Sequence, residues 1–419
     1  MNSTDVKLDD LAVNGGKPVI ETPFPSRGHF GKEEKVIVDK IFDDAISTGN
    51  APGYSGSYEQ EYCQLFADYM GGGFADGVNS GTNSVYVALK ALNPEPFSEI
   101  IVGAITDPGG MMPIPLLNCI PIVADAAPGG YNSGVEQIEP LITDRTSVIL
   151  IAHIGGMPAD IEGIIDLGKK HGIPVVEDCA QAHGATINGK PVGSFGTISA
   201  MSTMFGKHHC TGGQGGVVFT RDEELFLQVR RAADRGKAFG QGYSNAVASL
   251  NNNLNEIGAA IGVEQLKKLP GIVSNRQAFV AKLIPALSEL KTIDIPELLP
   301  NSTHAYWWWN LIVNGDNASC TKSEYCDALQ AEGVSMNPSY MGALPHIMDW
   351  FKNKNVFGTS QLPWSSSDYK GDPDQEFPTP NALHTMDTHF NMEINESWGD
   401  AEAALVIEAF QKVDAVYSK

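Results

Sequence analysis

The sequence predicts an α/β fold: a mostly parallel central sheet with helices on both faces, followed by a smaller C-terminal α+β domain. Three observations carry this expectation. Between residues 79 and 220, short Val- and Ile-rich runs alternate with helical stretches. Those runs lack strict polar–apolar alternation, as strands buried on both faces do. Beyond residue 269 helical periodicity returns, around a mixed aromatic segment. Strand–helix–strand alternation packs as a parallel sheet with covering helices. Ligands on such sheets sit beyond the carboxyl ends of the strands.

Residues 1–30 read as an N-terminal arm, polar at first and then punctuated by Gly15-Gly16, Pro23 and Pro25. A helix is expected over 32–46, with Val36, Val38, Ile41 and Phe42 in register, and a second over 59–69. The strand candidates are 99–105, 120–124, 147–154, 173–177, 198–202 and 216–219. Between two of them lies a helix with Asp160 as N-cap, Lys169 and Lys170 in its last turn and Gly172 at C′. The chain divides into the arm, a large domain over 31–269 and a small domain over 270–419. In the small domain, helices are expected over 277–290 and 398–417, with Tyr306-Trp307-Trp308-Trp309 between them. Residues 353–382 carry Gly, Pro and Ser throughout and read as a long surface loop, either a lid or disordered.

Composition narrows the function. A chain of 419 residues, 42% hydrophobic, has room for two to three domains. Its net charge of −22 argues against a nucleic-acid or anionic-membrane partner, because phosphate would be repelled. There is no long apolar run, and the opening MNSTDVKLDD lacks a basic and an apolar region. Neither a membrane span nor a signal peptide is expected. The six cysteines are scattered without a CxxC pair and read as reduced thiols of a cytoplasmic protein.

Four local features fall in or beside the sheet region. Val78-Asn79-Ser80-Gly81-Thr82-Asn83-Ser84 precedes an apolar helical run. A glycine-containing turn that opens a helix offers free N–H groups and a positive dipole end to an anion; an ordinary capped helix has the same look. Val175-Val176-Glu177-Asp178-Cys179-Ala180-Gln181 sets a carboxylate at a strand's end with an amide three residues on. Such a carboxylate can pair with a protonated ring nitrogen and the amide with a ring hydroxyl; Asp178 could equally cap the next turn. In Ser202-Thr203-Met204-Phe205-Gly206-Lys207-His208-His209-Cys210, Lys207 stands between apolar residues and a Gly-rich turn, where a desolvated amine can form a Schiff base. Ser202 and the glycines suit a phosphate. The adjacent His208, His209 and Cys210 lack zinc-ligand spacing, and no metal is expected. Last, the Asn251-Asn252-Asn253 cluster precedes a helix and has the composition of a turn and cap.

In this order, an anion-binding helix start, an acid with Gln three residues later and a lysine 29 residues beyond that acid, the parts resemble the pyridoxal 5'-phosphate (PLP) site of fold-type I enzymes. More narrowly, the chain resembles the DegT/StrS family of sugar and cyclitol aminotransferases, from about Gly28 to the last helix. The likeness is densest at Ser80-Gly81-Thr82, Ala152-His153, Glu177 to Ala185, Ser202 with Lys207, Gly213 to Gly216, and Asn251 to Glu256. It implies a PLP-dependent aminotransferase that moves an amino group from glutamate or glutamine to a ketone of a sugar or cyclitol. It makes 31–269 the PLP-binding domain. Lys207 would be the catalytic residue, bound to the cofactor as a Schiff base and then moving the proton. Asp178 would hold the ring nitrogen, Gln181 the ring hydroxyl, and Ser80, Gly81, Thr82 and Ser202 the phosphate. Asn251 matches a residue that the neighbouring subunit supplies, which implies a homodimer with shared active sites.

Three departures stand out. Asn252-Asn253-Leu254 replaces the family's Tyr-Arg-Met, Thr106 is followed by Asp107-Pro108-Gly109-Gly110 without a stacking aromatic, and Gln214 stands where Glu is common. His208 beside Lys207 keeps open a dehydratase on a similar substrate, since one branch of the family replaces the lysine by His. A non-catalytic PLP-binding regulatory homologue is the remaining alternative. His304, Tyr306, Trp307, Trp308 and Tyr340 are candidates for the acceptor site, with core packing the commoner fate of such residues. Arg27, His29 and Tyr54 are more distant candidates.

Overall fold

The structure is a computed structural model and describes residues 6–240, 242 and 244–419. Its central sheet has seven strands: β1 (Phe74–Val78), β2 (Glu99–Gly103), β3 (Ile120–Ala124), β4 (Thr146–Ala152), β5 (Val175–Asp178), β6 (Ile198–Ser202) and β7 (Gly216–Thr220). They lie in the order β1-β7-β6-β5-β4-β2-β3. The pairs from β6 to β3 are parallel. Only β7 runs against its neighbours, β6 and β1. The sheet is therefore mostly parallel, as expected, and the six other strands end at one edge.

The Val and Ile runs are continuous because both faces are covered. On one face Ile101, Ile149 and Val175 pack with Tyr62, Phe66, Ile164 and Leu266. On the other, Ile100, Val102, Leu150 and Val176 pack with Val85, Leu89 and Val229. Each such side chain, fully buried, contributes roughly 1.5–3 kcal/mol. The helix Ile161–His171 begins and ends as its sequence reads: Asp160 accepts a bond from Gly163 N–H, and Gly172 turns left-handed at φ 69°. Strand β1 is absent from the sequence expectation. It is an edge strand carrying Asp76 and Gly77 behind three glycines, a composition that reads as a turn.

A second, antiparallel sheet takes the order Ile293–Asp294, Trp308–Val313, His389–Glu393, Met336–Asn337. Its core joins Trp309, Leu311, Tyr325, Phe390 and Phe410. One helix, Glu256–Leu287, serves both cores: Val263, Leu266 and Leu269 face the large sheet, while Phe279, Val280 and Leu283 face the small one. The boundary expected at 269/270 falls inside this helix, which continues through Pro270. Among its described residues, from residue 6 on, the N-terminal arm is tied to the fold. Leu11 and Ile20 enter the small core, and the Ala12 and Val19 N–H groups donate to Glu332. Residues 353–382 are likewise anchored: Trp364 and Tyr369 are buried in the large core, and the Tyr369 hydroxyl donates to Glu99 at 3.1 Å. These two aromatics make the segment a strap over the fold, neither free lid nor disordered loop.

Candidate active site

The shared edge of the parallel strands gathers the site. Ser80 follows β1 in extended conformation, and its Oγ accepts the Asn83 N–H at 3.1 Å, so the helix Gly81–Leu92 starts there. The N–H groups of its first turn have no partner within the helix. At Gly81 a Cβ would stand 2.4 Å from the Ser202 Cβ, so only glycine lets this turn meet the end of β6. Gly81, Thr82 and Ser202 form one concave cradle of N–H and hydroxyl donors, the chemistry that an anion requires.

Asp178 ends β5, buried, with Oδ1 accepting the Ala180 N–H at 3.0 Å. Burial raises its pKa; the Ala180 bond and the Lys207 charge oppose that. Glu177, one residue earlier, fixes the strand end. It accepts from the Gly193 N–H at 2.7 Å and the Phe195 N–H at 2.9 Å, and meets His153 at 3.1 Å. His153 uses its other nitrogen on the Ala159 N–H. His153, Glu177 and Cys179 lie close enough to suggest a metal trio, but both imidazole nitrogens and both carboxylate oxygens are already engaged. Gln181 accepts the Gly155 N–H at 2.7 Å and donates to the Tyr340 hydroxyl at 3.0 Å, so its amide orientation is fixed.

Lys207 follows the Met204-Phe205-Gly206 turn after β6. It is 6% exposed, and burial takes its pKa down to about 8 against the pull of Asp178 and Asp107. Its Nζ lies 3.4 Å from the centre of the Trp307 ring. Ser80, Gly81, Thr82, Asp178, Gln181, Ser202 and Lys207 all line one cavity of about 180 Å³. Ala152, His153, Ile154, Met204 and Gln214 also line it, and Thr106, Asp107, Gly109 and Gly110 form a further wall that carries no stacking aromatic. A Cβ on Gly110 would come within 3.1 Å of Asp178 Oδ2, so glycine backbone closes that side.

Asn251 does not line the cavity. It is exposed at the rim of the Ser80 turn: its carbonyl accepts from Asn79 and its side-chain oxygen from Asn253. Of the aromatic candidates, Trp307 stands over the Lys207 amine, Trp308 packs on Trp307 and, edge to face at 4.8 Å, on Tyr340, and Tyr340 bonds Gln181; none of the three lines the cavity itself. His304 and Tyr306 are stacked on each other and buried, with Tyr306 in the small core. Tyr54 is exposed and holds Arg235. Arg27 and His29 bond each other, and the other Arg27 donors are taken by Glu396 and by backbone carbonyls. His208 turns away from Lys207, and its ring bonds the Ala305 carbonyl. His209 bonds Tyr62 and His183, and Cys210 faces Gln265. The three neighbours thus diverge. No motif in the sequence marks the Thr106–Gly110 wall as backbone or Met204 as a lining residue.

The model of the DegT/DnrJ/EryC1/StrS aminotransferase family matches residues 41–371. The UDP-N-acetyl-3-dehydro-alpha-D-glucosamine 3-aminotransferase of Acidithiobacillus ferrooxidans is 33% identical, over 74% of this chain and 80% of its own. The L-glutamine:2-deoxy-scyllo-inosose aminotransferase of Streptomyces fradiae is 31% identical, over 68% and 69% respectively. Among solved structures, the aminotransferase from Psychrobacter cryohalolentis superposes with a TM-score of 0.81 at 26% identity, covering 92% of this chain and 98% of that one. A Bacillus subtilis structure with bound cofactor PMP shares the fold, with a TM-score of 0.79 at 21% identity, over 98% of this chain and 89% of that one.

Proposed function

This chain belongs to the DegT/DnrJ/EryC1/StrS aminotransferase family, and from that premise we propose that it is a PLP-dependent enzyme that passes the amino group of glutamate or glutamine to a ketone of a sugar or cyclitol. The observation that carries this reading is one cavity holding a desolvated lysine amine, a buried strand-end carboxylate and an anion cradle. That donor set fits the cofactor: an aldehyde, a ring nitrogen and a phosphate each find a matching group. The relatives that act on an inosose and on a keto sugar support the acceptor class.

When bound, PLP supplies an aldehyde that exchanges amines and a ring that accepts carbanion electrons. The Gly81 and Thr82 N–H groups, with the Thr82 and Ser202 hydroxyls and Ser80 beside them, would hold the phosphate. Asp178 would hold the ring nitrogen and keep its proton in place. Gln181, its amide pinned by Gly155 and Tyr340, has one N–H left for the ring hydroxyl. Lys207, with a pKa of about 8, is partly neutral near neutrality. It can take the proton from the donor's amino-bearing carbon and return it. Trp307 covers the amine and limits water. His208, buried and bonded to Ala305, gives the dehydratase reading no group at this site.

The site is shared across a homodimer in this reading. Asn251 lies outside its own cavity, so it serves as the residue that completes the partner's phosphate site. Leu250, Phe205, Val36 and Ile46 are exposed apolar side chains that a second copy would cover. Among the described residues no helix is long and apolar enough to cross a membrane, and with six free thiols we place the protein in the cytoplasm. The test is a half-reaction. Glutamate or glutamine converts the bound cofactor to its amine form, and a panel of inososes and nucleotide-linked keto sugars identifies the acceptor that restores it. A protein that binds PLP but shows no conversion with either donor is not this enzyme.

A further inference from the structure

We infer that Arg27, Glu396 and Arg276 form a positioning clamp that sets where the Lys207 amine stands against the Trp307 ring. This rests on reading Lys207 as the reacting amine. Glu396 is enclosed between two guanidinium groups. Its Oε1 accepts from Arg27 Nε at 2.8 Å and its Oε2 from Arg276 Nε at 2.9 Å, with Arg276 Nη2 at 2.7 Å. The remaining Arg27 donors point at three successive carbonyls of the lysine turn: Gly206 at 3.2 Å, Lys207 at 3.0 Å and His208 at 3.3 Å. Arg276 Nη1 reaches the carbonyls of Tyr306 at 2.7 Å and Trp307 at 3.3 Å. The Trp307 indole N–H closes the ring of contacts on Gly206 O at 3.1 Å.

Both backbones that carry the Lys207–Trp307 pair are thus tied to one carboxylate. The three residues come from the arm, the helix Glu256–Leu287 and the segment after His389–Glu393. None lines the cavity, so they act through the residues they hold. A buried and a partly buried cation around one acid are costly unless each N–H is satisfied, and here the carbonyls and the carboxylate satisfy them. Cations fixed this way specify position more than they add stability. Lys207 itself faces Asp178 and Asp107 within the cavity, with His183 within reach of its charge.

The test uses Arg27→Met and Glu396→Gln, with exposed Lys17→Ala as control. Cofactor-free protein is acetylated competitively across a pH series, and the peptide carrying residue 207 is quantified. The wild type and Lys17→Ala should titrate near 8. Both clamp variants should titrate at least about half a unit higher, as water reaches the loosened amine. With PLP and glutamate, their kcat should fall at least about tenfold while KM moves less than about threefold. If Arg27→Met does not fold, Glu396→Gln decides alone. Lower melting temperatures with an unmoved titration midpoint would make the trio merely structural and overturn the clamp. An error in the lysine assignment shows separately, as borohydride tagging of another residue, and leaves the midpoint comparison intact.

Discussion

The amine of Lys207 lies over the face of Trp307, 3.4 Å from the ring centre. An indole face attracts an ammonium by about 0.5–2 kcal/mol, so the ring favours the protonated amine while burial disfavours it. Trp307→Leu keeps an apolar cover without the ring's field. The Lys207 titration should therefore move down from about 8, by up to about one unit, since one unit is 1.36 kcal/mol. NMR of the reductively methylated amine reads this directly. An upward move would mean that Trp307 acts mainly by excluding water.

Lys207→Ala removes the only lysine amine that lines the cavity among the described residues. Turnover should fall by at least about 10²–10⁴-fold, the range for losing a positioned proton carrier. Borohydride added to the PLP-loaded wild type should fix a pyridoxyl mass on the peptide containing residue 207, and none in the variant. A tag elsewhere would move the chemistry away from this lysine.

Gly81→Ala probes the phosphate cradle without touching charge. The new Cβ would meet the Ser202 Cβ at 2.4 Å and its Cα at 3.1 Å, so the turn and the end of β6 must part. Overpacking of this kind costs about 1–3 kcal/mol. PLP affinity, followed by absorbance titration, should weaken at least about tenfold, while inorganic phosphate should compete less with the cofactor than in the wild type. Unchanged affinity would place the phosphate elsewhere.

The strands buried on both faces were legible because such strands must be Val- and Ile-rich throughout. The expected 120–124 and 198–202 coincide with β3 and β6. The residues at strand ends were legible for the same reason, since the topology sends them to one edge. Other features obey no local rule. β1 carries turn-like residues and is held by β7 pairing and by Leu254, which packs against Gly77. The helix Glu256–Leu287 runs through Leu269-Pro270-Gly271 because packing on two cores outweighs the local break. Arg27 and Glu396 are 369 residues apart, and Glu396 and Arg276 are 120 apart. Only tertiary structure reveals that contact, and it turns Arg27 from an acceptor-site candidate into a backbone anchor.

Away from the cavity, a buried acid predicts an alkaline weakness. Glu59 is 6% exposed, and burial with Asp76 and Glu256 nearby raises its pKa to about 8, against an opposing bond from the Ser55 N–H and the charge of Arg230. The folded state thus holds a proton that the unfolded chain releases near 4.5. Between those values the native state binds more protons than the unfolded state, so stability falls as pH rises from about 4.5 to about 8. Glu59→Gln keeps an acceptor for Ser55 and has no proton to lose. It should match the wild type near pH 5, a condition at the low end of this window. Near pH 8.5 it should be more stable by about 1–2 kcal/mol. Urea melts at the two pH values measure this difference. Equal losses in both proteins would show that Glu59 is ionised in the native fold and that other groups set the slope.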